Sequence, residues 1–459
     1  MSGLSESDRV MGDIQQTLKR ISLPYCDGLY DWQSQLLIRK NKDRETIGSS
    51  SIQGVSFRAF TDNGWVYSES NKADLPTIRK LAQSLNSKRP SSKTRLFLPE
   101  PIKLDVKTPV AMDTGEVALE DKLQRIRELY SLAKGMDSRV LDVHVYYSEI
   151  GLERALVSSH GTFARQRIPR TRISMQVIVK ENDVTDYDVL SSGGTMGYEV
   201  VENLTEEMVK ETVEGALVQL KAVTPPTGPQ KVIIDPGTVG TVCHESFGHG
   251  LEADQAIRGR SYLKDLLGKK VASDIVTIYE DSSLKLGWGS YQFDDDGAPA
   301  KKNTLVEKGM LVSFLHDVET SAAMNAQLTA SSRTQNALRR RFIRMSNTYS
   351  KPGDWSIDEI IKETKNGVMM MRWQYGIEDP LGGGMQVTAK RGFLIENGEK
   401  TKPLKSVTLT GRVLEVLGNV DAVSKEGFTV DPGTCGKGTE DYVPVGAGGT
   451  WWRTKAVIA

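Results

Sequence analysis

Apolar residues recur at helical steps in several stretches of the chain. Val10, Ile14 and Leu18 share one face of residues 5–20 and predict an amphipathic helix. A more polar, helix-like stretch covers Leu75–Leu85. In 117–134, Leu119, Leu123, Ile126, Tyr130 and Ala133 fall on one side, the clearest helix of all. A further helix, about 204–222, is expected to open at Asn203, with Glu206 at capping-box spacing. Alternating runs at Gly28–Arg39 and Ile52–Phe60 predict strands, the second turning at Thr61–Trp65 into a hairpin. Strand-like runs follow at Val140–Ile150, Ala155–Ser159 and Arg172–Val179, then a Ser-Gly loop at Ser191–Gly197. Pro90, Pro99, Pro101 and Pro109 predict a linker, and Pro225–Pro229 the sharpest boundary.

Beyond that boundary the pattern changes. Lys231–Pro236 reads as a buried strand and Gly237–Ala253 as helix-compatible. Short β-like runs then dominate, at Ile275–Tyr279, Met310–Leu315, Gly367–Trp373, Arg391–Ile395, Ser406–Leu417 and Trp451–Ile458. The fold class predicted is α+β: an N-terminal α/β domain, 1–224, with lobes 1–98 and 110–224, then a β-rich C-terminal domain, 225–459.

Charge narrows the choice of partner. The 59 basic residues balance 59 acidic ones over 459 residues, which disfavours disorder and a protein built to bind nucleic-acid backbone. No run of about 18 apolar residues predicts a membrane span, and Met1–Arg20 lacks the apolar core of a signal peptide. Three dispersed cysteines, Cys26, Cys243 and Cys435, fit free thiols in a reducing, cytoplasmic compartment.

Chemistry concentrates in one block. Of five histidines, His144, His160, His244, His249 and His316, two flank Glu245 in Cys243-His-Glu-Ser-Phe-Gly-His249. The zinc-peptidase pattern H-E-x-x-H sets two imidazoles at i and i+4 on one helix face, with the Glu as base. Here the spacing is i, i+5, which on a regular helix turns the rings roughly 140° apart instead of about 40°. A one-residue π-bulge, with Gly248 as its natural place, would bring both to one metal. A catalytic zinc takes three protein ligands and keeps a position open. His144 and His316 lie in strand-like contexts and read as packed or surface residues. Cys435, in the Gly-rich run Asp431–Gly438, is the stronger third candidate; Cys243 reads as a small buried core residue.

These residues resemble the TldD/PmbA metalloprotease family, once named modulators of DNA gyrase. The resemblance spans the chain: Gly54–Arg58, Ser192–Gly194, His244–Asp254, Gly289–Gly297, Arg344–Thr348 and Cys435–Lys437 all match. It implies one zinc per chain on His244, His249 and Cys435, with Glu245 as base. It also implies a dimer, homotypic or with a PmbA-like subunit, whose clefts face a shared interior. The PmbA-like branch lacks the histidine block, so this chain resembles the TldD-like, catalytic branch. After Gly382–Met385 it departs from the bacterial pattern, with Gln386–Lys390 in place of an acidic continuation, which bears on substrate preference.

The expected activity is zinc-dependent hydrolysis of unfolded or extended peptides by metal-activated water. Arg344 and Asn347 are candidate substrate contacts. Gly382–Val387, with Gly383 and Gly384, is the expected edge on which a peptide adds a strand. Glu252 and Asp254 are either partners that orient an imidazole or surface charges. The alternative is a non-catalytic, metal-stabilised interaction subunit of a protease or gyrase-regulating complex, for which a fourth ligand such as Cys243 would speak.

Overall fold

The computed structural model describes residues 5–62, 64–86, 95–438 and 441–459. Seven strands of the N-terminal half form one sheet: β1 (Cys26–Lys40), β2 (Glu45–Thr61), β3 (Gly64–Ser70), β4 (Lys103–Lys107), β5 (Val140–Ser158), β6 (Phe163–Glu181) and β7 (Val184–Gly194). Their order is β3-β2-β1-β5-β6-β4, with β7 also on β6 and only β4 running parallel to its neighbour. Alternation along β5 turns its odd positions to one face. There Ala155 and Val157 pack with helices Glu6–Leu18 and Leu75–Asn86, while Val143, Val145 and Tyr147 pack with Leu119–Gly135 and Glu206–Gln219. Two helix pairs thus cover two halves of the same long strands.

Several expectations are corrected by this sheet. Val140–Ile150 and Ala155–Ser159 are parts of one strand, and Ser191–Gly194 ends β7 instead of starting a loop. The expected lobes 1–98 and 110–224 share the sheet, because β1 pairs with β5 along nearly its whole length. The Pro-rich segment carries β4; its residues 87–94 lie outside the described residues. Thr205, not Asn203, caps the last helix, its side chain accepting from Met208 N.

In the C-terminal half, β8 (Gly228–Ile234) precedes β9 (Ile278–Asp281), β10 (Lys302–Glu307), β11 (Met310–Leu311), β12 (Ser332–Arg333), β13 (Phe342–Ile343) and β14 (Asn347–Ser350). After these come β15 (Gly367–Glu378), β16 (Gly384–Glu396), β17 (Glu399–Leu404), β18 (Val407–Arg412) and β19 (Ala422–Val423). The chain closes with β20 (Thr429–Lys437), β21 (Asp441–Gly449) and β22 (Trp452–Ile458). Since β15 pairs with both β8 and β16, the strands β15-β8-β22-β18-β16 close a ring. A second sheet, β11-β10-β9-β14-β21-β20, ends on β20. The expected strand Ser406–Leu417 is β18 followed by the helix Val413–Gly418.

Ionic contacts join the halves across the second face of the N-terminal sheet. Arg341 and Arg58 both donate to Asp27, at 2.6 and 2.8 Å, and Arg58 reaches Asp296. Arg154 links Asp31, at 2.8 Å, to Asp295, at 3.0 Å. All these side chains are buried. Among the described residues no helix is long and apolar enough to cross a membrane, and all three cysteines are free.

Candidate metal centre

The helix Pro236–Cys243 follows directly from β8. Asp235 caps it, accepting from Thr238 N, and Pro236 takes a first-turn position where no N–H is needed. The helix lies against β21 so closely that a Cβ on Gly240 would sit 2.0 Å from Gly448 N. Only glycine allows that backbone contact, and the contact fixes where the next residues go. His244–Gly248 form a single π-helical turn, in which His249 N–H donates to the His244 carbonyl. Phe247 and Leu251 anchor the turn in the largest hydrophobic cluster. The helix-compatible stretch Gly237–Ala253 is thus interrupted, first by the π turn that the histidine spacing called for and then by a 3-10 turn at His249–Leu251.

The extra residue brings the two imidazoles together, with ring centroids 5.3 Å apart and planes at 84°. Cys435, on β20 and not in a loop, places its Sγ 3.2 Å from His249 Nε2. Donor atoms of His244, His249 and Cys435 all lie within 4.8 Å of one another. Two imidazoles and one thiolate form a donor set suited to zinc, so the three could hold one metal ion. Burial would push the Cys435 thiol up, yet the two imidazoles, His244 foremost, hold it well below the ordinary range. Burial likewise disfavours charge on His249, but Cys435 and Glu252 raise it well above the ordinary value.

Around this cluster the sequence expectations divide. Glu245 lines the same cavity, its Cγ only 2.7 Å from where a Cβ on Gly376 would lie. Glu252 is buried, with Oε1 3.6 Å from His249 Nδ1 and Oε2 2.7 Å from Lys437 Nζ; Lys437 also reaches Asp254 at 3.1 Å. Of the two readings for Glu252, the position beside an imidazole is the one observed. Cys243 belongs to the apolar core and to no cluster of metal-binding type. His144 bonds Asp142, and His316 is buried beside Thr320, both outside the cluster.

Four expected substrate contacts sit elsewhere. Arg344 is buried and donates to the Cys435 carbonyl at 2.6 Å, so it braces β20 without lining the cavity. Asn347 is spent on Gly289 N, the Asp281 carbonyl and Ser290 Oγ. The run Gly382–Val387 is not an open edge, because β16 is paired with β15 on one side and β18 on the other. Gly383 makes a left-handed turn (φ 68°) against the Tyr262 ring, and neither it nor Gly384 lines the cavity.

Open edges do exist, one strand away. β15 pairs with β8 only through Val368–Met370, so its edge from Met371 to Glu378 has no strand partner among the described residues. Among the described residues β20 pairs only with β21. Trp373–Glu378 and Gly433–Lys437 form facing parts of a cavity of about 920 Å³ that holds Glu245 and the three ligand candidates. The sequence signal for the first edge was the alternation Trp373, Tyr375, Ile377, which extends the expected strand beyond Trp373.

A protein with two mixed halves and a His-Glu-His-Cys cavity between open strand edges has the make-up of a metal-dependent hydrolase. Comparison with known proteins agrees. Residues 113–220 match the model of the PmbA/TldA metallopeptidase central domain, and residues 227–447 that of the C-terminal domain. A metalloprotease of Methanocaldococcus jannaschii is 34% identical over 93% of this chain and 95% of its own. A zinc metalloprotease TldD homolog of Saccharolobus solfataricus is 26% identical, over 90% and 91%. The crystal structure of TldE from Thermococcus kodakarensis shares the fold, with a TM-score of 0.79 at 19% identity, over 98% of this chain and all (100%) of its own. The chain belongs to the PmbA/TldD metallopeptidase family.

Proposed function

We propose that this protein is a zinc-dependent peptidase of the TldD-like branch that cleaves unfolded or extended peptides. The observation that carries the reading is the convergence of His244, His249 and Cys435 on one point of a cavity shared with Glu245. The three would hold one zinc per chain, and Arg344 would keep the Cys435 backbone in place. A bound zinc would supply Lewis acidity at the scissile carbonyl and lower the pKa of water. The Glu245 carboxylate takes the proton of the attacking water and passes it to the leaving amine. The free edges of β15 and β20 bind the peptide backbone as an added strand, so side chains matter less than extension. Folded domains, with no free strand to offer, are excluded. We place the protein in the cytoplasm, as a dimer with itself or with a PmbA-like subunit.

The test is metal analysis of the purified protein, with hydrolysis of an unfolded peptide followed before and after chelation. Zinc near one per chain and activity lost on chelation are expected. Cys435→Ser should weaken both metal retention and activity, because a neutral hydroxyl replaces a thiolate poorly. Activity that persists in the chelated protein would overturn the reading. So would metal held as tightly by Cys435→Ser as by wild type.

A further inference from the structure

Glu378 ends β15. Both its carboxylate oxygens are shielded from solvent and accept no hydrogen bond, and no other Asp or Glu among the described residues has two such oxygens. An ionised carboxylate in that state is costly unless a donor arrives. No donor in place reaches it; Arg260 and Gln255, which line the same cavity, make no hydrogen bond to it. Glu245, Glu252 and Asp379 are acidic neighbours, Lys437 is engaged by Glu252 and Asp254, and the Tyr262 hydroxyl donates to Ser246 O. The His249 ring turns its Nε2 to Cys435 instead.

The strand geometry says what could reach it. Along the open edge of β15, Gly376 packs on Glu245, and Glu378 shares that inner face by alternation. Tyr375 and Ile377 point the other way and are 51% and 60% exposed, with Leu381 beside them at 64%. An extended peptide on this edge presents alternate side chains to an apolar face and to the face of Glu378. No hydrogen bond holds the Glu378 carboxylate, so its torsions can bring it to the cavity without breaking one.

We propose that Glu378 receives a cationic nitrogen of the bound peptide, its α-ammonium or a basic side chain, and so selects peptides with such a group on the inner face of the substrate strand. This rests on the peptide-binding part of the reading above, and it is tested by binding instead of cleavage. Fluorescence anisotropy would compare labelled peptides of one apolar background on the chelator-treated full chain. One set has a free N-terminus and no basic residue. A second is N-acetylated with a single lysine at each successive position, and a third is N-acetylated with norleucine there.

An amine-bearing set should bind roughly tenfold to a hundredfold more tightly than the neutral set, the range of one charge-assisted bond. Preference for the first set alone identifies the α-ammonium; preference for a lysine position identifies a side chain. Glu378→Gln should abolish the preference and Glu378→Asp should keep part of it. Equal affinities in the wild-type protein would overturn the inference, whether or not the variants fold. So would a preference that survives Glu378→Gln. If no peptide binds, the inference falls with the reading beneath it. Selective binding without hydrolysis after zinc is restored would sink the peptidase reading and leave this one standing.

Discussion

Asp27 and Glu378 are both carboxylates cut off from solvent, one between the two halves of the molecule and one in the cavity of the His-His-Cys cluster. Asp27 accepts from Tyr25, Arg58 and Arg341, and these guanidinium groups hold its carboxyl below the usual range in spite of burial. Glu378 has no donor; burial, with Glu245 and Glu252 adding to it against the pull of His249, pushes it up to about 8. Histidines repeat the contrast. His316 is buried, and burial lowers it to about 4, whereas half-buried His249 is held up, against the effect of burial, by Cys435 and Glu252. Both oxygens of Asp27 are paired, and the pairs fasten the halves together. Neither oxygen of Glu378 is.

The largest effect expected is on the open side. Glu245→Gln should retain the metal yet lower peptide hydrolysis about 10²–10⁴-fold, the usual worth of a positioned base. Elemental analysis beside a peptide assay checks this, and metal loss as complete as in His244→Ala would remove Glu245 from that role. On the closed side, Asp27→Asn should cost about 3–5 kcal/mol in urea unfolding, since it leaves two buried guanidinium groups short of a counter-charge. Glu378→Gln should be neutral or stabilising in the same experiment, because the group it removes is unpaired. Equal costs for the two would break the contrast.

His316 gives a pH signature of intermediate size. Its folded pKa lies below the ordinary value, so the unfolded chain takes the proton more readily. That stability is complete above about 6.5 and is lost as pH falls towards about 4, a contribution of about 3 kcal/mol. Urea unfolding at pH 7 and pH 4 should show the loss in wild type and a smaller one in His316→Gln. Smaller than the His316 effect, Gly376→Ala should cost about 1–3 kcal/mol by pressing a methyl group on Glu245. A fall in kcat larger than the fall in stability is the expected reading.

Local order was the legible part of this chain. Val10, Ile14 and Leu18, or Leu123, Ile126 and Ala133, declare their helices because a helix face is written within a few residues, although Leu119, expected on the second face, is exposed. The histidine spacing was legible too: an i, i+5 pair can meet at one metal only if the helix carries a π turn, and one spans His244–Gly248. Cys435 came from family resemblance and a Gly-rich context, since nothing local ties it to residues about 190 positions away. What stayed hidden was pairing. A glycine run at Gly382–Val387 looks like an edge, and only β18, some twenty residues later, covers it. Arg344 and Asn347 sit in a motif-like run, but distant backbone atoms claim both. Glu378 belongs to no pattern, because being unpartnered is a property of everything that failed to reach it.

The unpaired margins of β15 and β20 have a cost apart from chemistry. Exposed main-chain donors and acceptors do not distinguish a substrate from a neighbouring molecule of the same protein, and such margins are where chains stick to one another. Tyr375, Ile377 and Leu381 at the rim make the risk greater. Lys437 on the β20 margin sets a cation where a stray hydrophobic strand would have to lie, the usual defence against aggregation. An open margin of this kind therefore has to be guarded as well as offered.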